Sequence, residues 1–189
     1  MFTVVLNSRN KDNKGIKDFR ERKKVFLVRE FEPYMGEREE EFNMYDEFER
    51  FVQDGKDGEM SRLYISVNSR DEKKIQRELV MEMYDKQLDF VSFQRKLVSI
   101  ANKDINKSSK NFLLDYDKDS TEEEMLKDIE EIKSNIKQGN TLEILVYKKT
   151  LNGWHIITNP FDVRAVNKDY ITIKKDGMFL KDFKRKGVN

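Results

Sequence analysis

Asp115 and Asp117 stand one residue apart at the end of an apolar run, Asn111-Phe112-Leu113-Leu114-Asp115-Tyr116-Asp117. Read as a strand, this segment sends residues i and i+2 to the same face, so the two carboxylates can aim into one site while Leu114 and Tyr116 point the other way. Paired carboxylates at a strand end suit a hard divalent cation that prefers oxygen ligands. Aspartate is disfavoured within strands, and Asp115 follows three large apolar residues without a break. The same letters also mark the solvent end of a strand and the start of a turn. The only histidine, His155, lies 40 residues downstream in Thr150-Leu151-Asn152-Gly153-Trp154-His155-Ile156-Ile157. An imidazole N–H can donate to a phosphate oxygen, Lys148 and Lys149 add positive potential, and Gly153 permits close backbone approach. A lone histidine can equally be an ordinary core or surface residue.

These side chains need elements to hold them. Phe2 to Leu6 and Val25 to Phe31 read as strands, the second stopped by Pro33. From Gly36 to Gln53 the apolar residues fall at helical spacing, and the acids Glu37 to Glu41 suit a solvated helix start. Arg62 to Asn68 reads as a strand. Ser69 with Glu72 fits a capping box for a long helical region running to Val98, broken near Asp85 to Asp89. After the acidic strand, Ser120 with Glu123 fits a second capping box, the stripe Met125, Ile129, Ile132 and Ile136 follows, and Gly139 is a C-cap. Leu142–Tyr147 and Trp154–Thr158 read as strands joined by a tight turn at Leu151-Asn152-Gly153. Tyr170–Lys174 and Met178–Leu180 bracket Asp176-Gly177 as a hairpin. This order predicts an α+β fold: a mixed or antiparallel sheet with helices packed on one face. Residues 1–60 read as an N-terminal subdomain or an extension of the same sheet, and residues 61–189 as the core.

The composition narrows the function further. Among 189 residues, 37 Lys and Arg balance 36 Asp and Glu, which argues against a globally basic nucleic-acid binder while leaving room for a local basic groove. The absence of cysteine excludes disulfides, thiolate nucleophiles and cysteine-type zinc sites, and a single histidine excludes a histidine-rich metal cage. No apolar run approaches membrane-spanning length, and Met1 to Leu6 is too short for a signal peptide. The expectation is a soluble, cytoplasmic protein.

Together, Leu113-Leu114-Asp115-Tyr116-Asp117 and Gly153-Trp154-His155 resemble two motifs of the archaeo-eukaryotic primase (primase-polymerase) superfamily. The first is a hydrophobic strand ending in Asp-hydrophobic-Asp; the second is a small residue, any residue, then histidine on a strand. The stretch from Thr150 to Ile157 looks like the longer form found in phage-type members. The resemblance covers about the second half of the chain, with weaker support from Arg62 onward. It implies a core resembling an RNA-recognition motif, with Asp115 and Asp117 holding Mg²⁺ or Mn²⁺. It further implies that His155 contacts the phosphates of a nucleoside triphosphate, with Lys148, Lys149, Thr150 and Gly153 around it, and that a DNA or RNA strand is extended.

The superfamily's third motif, a hydrophobic residue followed by an acid, is matched in letters by Phe161-Asp162, with Asp169 and Asp176 as other candidates. Asp162 lies 7 residues beyond His155, which is roughly 23 Å of extended chain at about 3.3 Å per residue. It can therefore join the metal set only if the chain folds back, and otherwise caps a turn after Pro160. Two alternatives to a nucleotidyltransferase stand beside it. One is a catalytically inactive module binding a nucleotide, a nucleic acid or a protein partner; the other is a metal-dependent nuclease using the same acids. Lys174-Lys175-Asp176-Gly177 also matches the nucleophile motif of nucleic-acid ligases, but only 12 residues follow Gly177, too few for the remaining ligase motifs, so a turn is the better reading. Lys184, Arg185 and Lys186 near the end could touch phosphates or simply keep that end soluble.

Overall fold

The computed structural model describes residues 1–28, 39–86, 90–137 and 141–187, without the side chains of 39–43, 86 and 90–91. Its strands are β1 (Phe2–Ser8), β2 (Arg22–Val28), β3 (Met60–Ser66), β4 (Phe112–Tyr116), β5 (Ile144–Lys149), β6 (Trp154–Thr158), β7 (Ile171–Lys174) and β8 (Met178–Arg185). Its helices are α1 (Glu39–Gln53), α2 (Glu72–Lys86), α3 (Phe90–Ala101) and α4 (Glu122–Ser134). The fold is α+β, as expected, but built on two four-stranded sheets rather than one: β2-β1-β3-β8 and β5-β6-β4-β7. The chain forms two compact units. The first is Met1–Ser109 together with Lys181–Asn189, and the second is Lys110–Leu180. None of the described helices is long and apolar enough to cross a membrane.

In the first unit β1 pairs antiparallel with β2 and β3. Its alternate residues Val4 and Leu6 are fully buried beside their partners Ile65 and Leu63. Helix α1 supplies Met44, Phe48, Phe51 and Val52 at helical spacing, all buried, and packs on β1 and β3. It lies on the Leu6 side, because Lys24, the β2 partner of Leu6, reaches Glu47 of α1. On the opposite side Leu27 packs against the cluster of Ile75, Leu79, Ile100 and Ala101 from α2 and the end of α3. Helices therefore cover both faces of this sheet, not one, because β1 buries residues of both parities, Thr3 as well as Val4.

Two helix starts shift from their sequence-based positions. Asp71, not Ser69, caps α2: its Oδ1 accepts from the Lys74 N–H at 3.1 Å. The Ser69 N–H instead donates to the Ser109 hydroxyl. The capping box of α4 is Thr121 with Glu124, one residue later than Ser120 with Glu123. Each caps because its oxygen meets the N–H three residues on, which is what the first turn leaves unsatisfied. The Gly139 cap and the strand end near Pro33 fall outside the described residues; of the break read near Asp85 to Asp89, residues 85 and 86 are still helical and 87–89 fall outside the described residues.

In the second unit β4 pairs with β6 and β7, and β5 with β6, all antiparallel. Leu114, Tyr116, Trp154, Ile156 and Ile171 form one face and bury against Met125, Ile129 and Ile132 of α4. The Asp176-Gly177 hairpin does not form, since β7 and β8 belong to different sheets. Gly177 has another reason to be glycine: a Cβ there would sit 2.6 Å from Leu113 Cδ2.

Candidate functional site

Strand pairing brings the two sequence motifs together. Asp115 on β4 lies directly opposite His155 on β6 and Thr172 on β7. His155 in turn lies opposite Lys148 on β5. Directly opposed residues share a face, so Lys148, His155, Asp115 and Thr172 form one rung across all four strands. Because neighbours alternate, this rung is on the face away from α4, while Tyr116 and Trp154 turn into the core.

The imidazole is fixed at both nitrogens. His155 Nδ1 accepts from the Leu180 N–H at 2.9 Å, so the ring proton resides on Nε2. Nε2 lies 3.3 Å from Asp115 Oδ1. The Phe179 ring sits 6.0 Å from the imidazole, and His155 is 9% exposed. The other carboxylate oxygen of Asp115, Oδ2, accepts from the Lys174 ammonium. The His155 N–H is the main influence that holds the Asp115 carboxyl well below the usual carboxylate range; burial opposes it, and Lys174 adds to it. Asp115 is thus an anion with a fixed donor on one oxygen and a movable cation on the other, since the Lys174 side chain is 44% exposed.

The remaining sequence candidates divide. Asp117 lies just past the end of β4 and is exposed, its N–H donating to Tyr170 O at 2.8 Å. Lys149 is on the opposite face from His155: it is paired with Trp154, covers that ring at 5.1 Å and bridges to Asp119 at 2.9 Å. The alternation that aligns Lys148 with His155 removes Lys149 from the rung. The Thr150 N–H donates to Gly153 O at 2.8 Å and closes the turn between β5 and β6. Gly153 does make a close approach, but to its own chain, where a Cβ would lie 1.8 Å from Tyr116 O.

Asp162 caps a short 3-10 turn, Val163–Ala165, accepting from the Arg164 N–H at 3.2 Å. The Arg164 guanidinium clasps both of its oxygens at 2.8 and 2.7 Å and lowers its pKa to about 2. Asp162 also lines an open pocket of about 330 Å³ with Asn135, Lys137 and Asn167, and no residue of the rung lines that pocket. Asp169 is exposed at the turn before β7, and Asp176 lies between β7 and β8. Among the described residues, no three His, Asp or Glu side chains gather closely enough to hold a metal ion together.

Sequence reasoning missed Lys174 and Thr172 as members of this site. The alternation in Tyr170-Ile171-Thr172-Ile173-Lys174 put both on one face, but nothing local said that this strand pairs with β4, 59 residues away. It also missed a second polar cluster. The Tyr116 and Tyr170 hydroxyls both donate to Asp128 Oδ2, at 2.8 and 2.7 Å, with the Lys118 and Lys168 ammoniums each 3.7 Å from that carboxylate. Burial, and then the bond to Asp128, push both phenols up to about 12. These phenols act as neutral donors that tie β4 and the β7 approach to α4. Compared with protein-family models, curated proteins and solved structures, the chain matches none of them.

Proposed function

We propose that the rung of the second unit is the nucleotide site of a primase-like nucleotidyltransferase, which adds nucleotides from nucleoside triphosphates to a DNA or RNA strand. One observation carries this reading: the acid of one short motif and the histidine of another, far apart in sequence, are opposed across adjacent strands with 3.3 Å between Asp115 Oδ1 and His155 Nε2. The same register supports a primase core resembling an RNA-recognition motif. The Nε2–H is the right kind of group to donate to a triphosphate oxygen, and Lys148 shares its face. Asp115 and Asp117 offer hard carboxylate oxygens, and Asp115 is held ionised, so their chemistry fits Mg²⁺ or Mn²⁺. Such an ion would neutralise charge on the transferring phosphate. Primer synthesis and primer extension with Mn²⁺ test the proposal. Product is expected, and the Asp115→Ala, Asp117→Ala double variant should make none; equal activity in that variant would end the idea.

Lys174 favours a second reading. Its ammonium already occupies the Asp115 oxygen that a divalent ion would need. A site balanced by its own lysine can bind a nucleotide's phosphates without transferring them, as an inactive primase-like module would. Thermal shift with nucleoside triphosphates, with and without Mn²⁺, separates the two. Metal-dependent stabilisation with turnover supports the enzyme, and metal-independent stabilisation without turnover supports the module.

A further inference from the structure

We infer that the first unit binds a single nucleic-acid strand on the face of its sheet opposite α1, across the rungs of Asn7 and Val5, beyond the Leu27 end on which α2 and α3 pack. The argument starts from register. Lys23, Asn7 and Arg62 form one rung across β2, β1 and β3, and Val25, Val5 and Tyr64 form another. Both rungs have the parity opposite to Leu6 and Lys24, so they face away from α1. On β8, Lys184 reaches Glu49 of α1, and just past β8 Lys186 reaches Gln53 O at the end of α1. By alternation Phe183 and Arg185 turn to the other side, the side of Arg62 and Tyr64. The face therefore presents Lys23 and Arg185 alongside Tyr64 and Phe183, while Arg62 on the same face is buried. Lys23 and Arg185 are exposed, and Tyr64 and Phe183 are half-buried.

Arg9 adds to this surface. Its Nε is 3.0 Å from Asp12 Oδ2, and Arg62 Nη2 is 2.5 Å from Asp12 Oδ1, so two guanidiniums share one carboxylate. Arg62 is 8% exposed, and its Nε, like Arg9 Nη2, is buried with no hydrogen-bond partner among the described residues. Arg62 Nη1 lies 3.3 Å from the Tyr64 hydroxyl and orients that ring. Two carboxylates neighbour the face, Asp12 and Glu21, and both are engaged, the second by the Asn10 N–H at 2.8 Å. Arg9 and Arg62 are thus engaged with Asp12, and the exposed Lys23 and Arg185 carry the positive charge beside the two aromatic rings. Cations that track phosphates, alternating with rings on which bases stack, are what sequence-tolerant single-strand binding requires. A duplex keeps its bases stacked on each other and cannot use the rings.

The inference rests on the first unit alone and does not depend on the Asp115 site. The test is fluorescence anisotropy of a labelled oligothymidylate of about twelve nucleotides, within the usual site sizes, with no nucleotide or metal present. Binding that weakens steeply with salt is expected. Lys23→Glu and Tyr64→Leu should each weaken it by about fivefold or more, the low end of one lost stacking or phosphate contact. Lys23 is exposed, so its variant decides the matter even if the Tyr64 variant unfolds. Absence of binding, binding unchanged by Lys23→Glu, or a duplex bound as tightly as the single strand would each overturn the inference. Because the mixture contains no nucleotide or metal, it reads strand binding at this surface alone, and the nucleotidyltransferase reading is decided separately by primer extension.

Discussion

At the scale of the residue, the site is defined by who holds each atom of Asp115 and His155. The Leu180 N–H on Nδ1 assigns the imidazole proton to Nε2, and Lys174 holds the second carboxylate oxygen. A divalent ion must displace that ammonium. Lys174→Ala is therefore expected to tighten Mn²⁺ binding severalfold in calorimetry; unchanged affinity would show that the lysine does not guard the carboxylate. The Asp115 carboxyl is depressed in the folded state, so its contribution is full above the unfolded value near pH 4 and is lost as pH falls toward the folded value. The melting-temperature gap between the wild-type protein and Asp115→Asn should be constant down to about pH 4 and shrink below it. The phenols have the opposite sign. Tyr116 and Tyr170 are raised to about 12, so their contribution is present below the unfolded value near 10 and is lost as pH rises through about 12. In tyrosinate absorbance Tyr116 and Tyr170 should ionise late, and Asp128→Asn should bring them earlier.

At the scale of the element, the small residues and caps carry the tests. Thr121→Ala removes the α4 capping box and should cost about 1 kcal/mol in urea unfolding, since an N-cap is typically worth that much. Gly153→Ala forces a methyl onto Tyr116 O and should cost about 1–3 kcal/mol or more, the range of overpacking; a cost near zero would mean that the turn opens freely. Much of the site was legible at this scale. The apolar runs ending at Asp115 and containing His155 marked two strands, and the turn at residues 150–153 fixed β5 beside β6. Partnership between distant strands was not legible. The β4–β7 pairing that brings in Lys174 is non-local, and the Asp-Gly turn after it looked like a hairpin although Gly177 is required by Leu113 packing. The face that Lys149 takes follows from the pairing register of β5 and β6, which periodicity alone cannot set.

At the scale of the whole molecule, the chain makes two sheets, and the first unit is discontinuous. It needs residues 1–109 and then residues 181 onward. Between them lies a second unit whose core and site are drawn entirely from Lys110–Leu180. β8 begins in the second unit, with the Leu180 N–H holding His155, and runs on to complete the first sheet beside β3. This has a consequence for synthesis. While the ribosome is still translating the second unit, β1, β2 and β3 can already pair, but β3 has an open edge until β8 emerges. An open strand edge is a template for pairing with another chain. The nascent protein thus passes through a sticky stage that lasts until residues 181–185 have been made, and replacing Lys181 by a stop codon, which keeps Leu180 and the second unit, should arrest it there, as aggregates in size-exclusion chromatography.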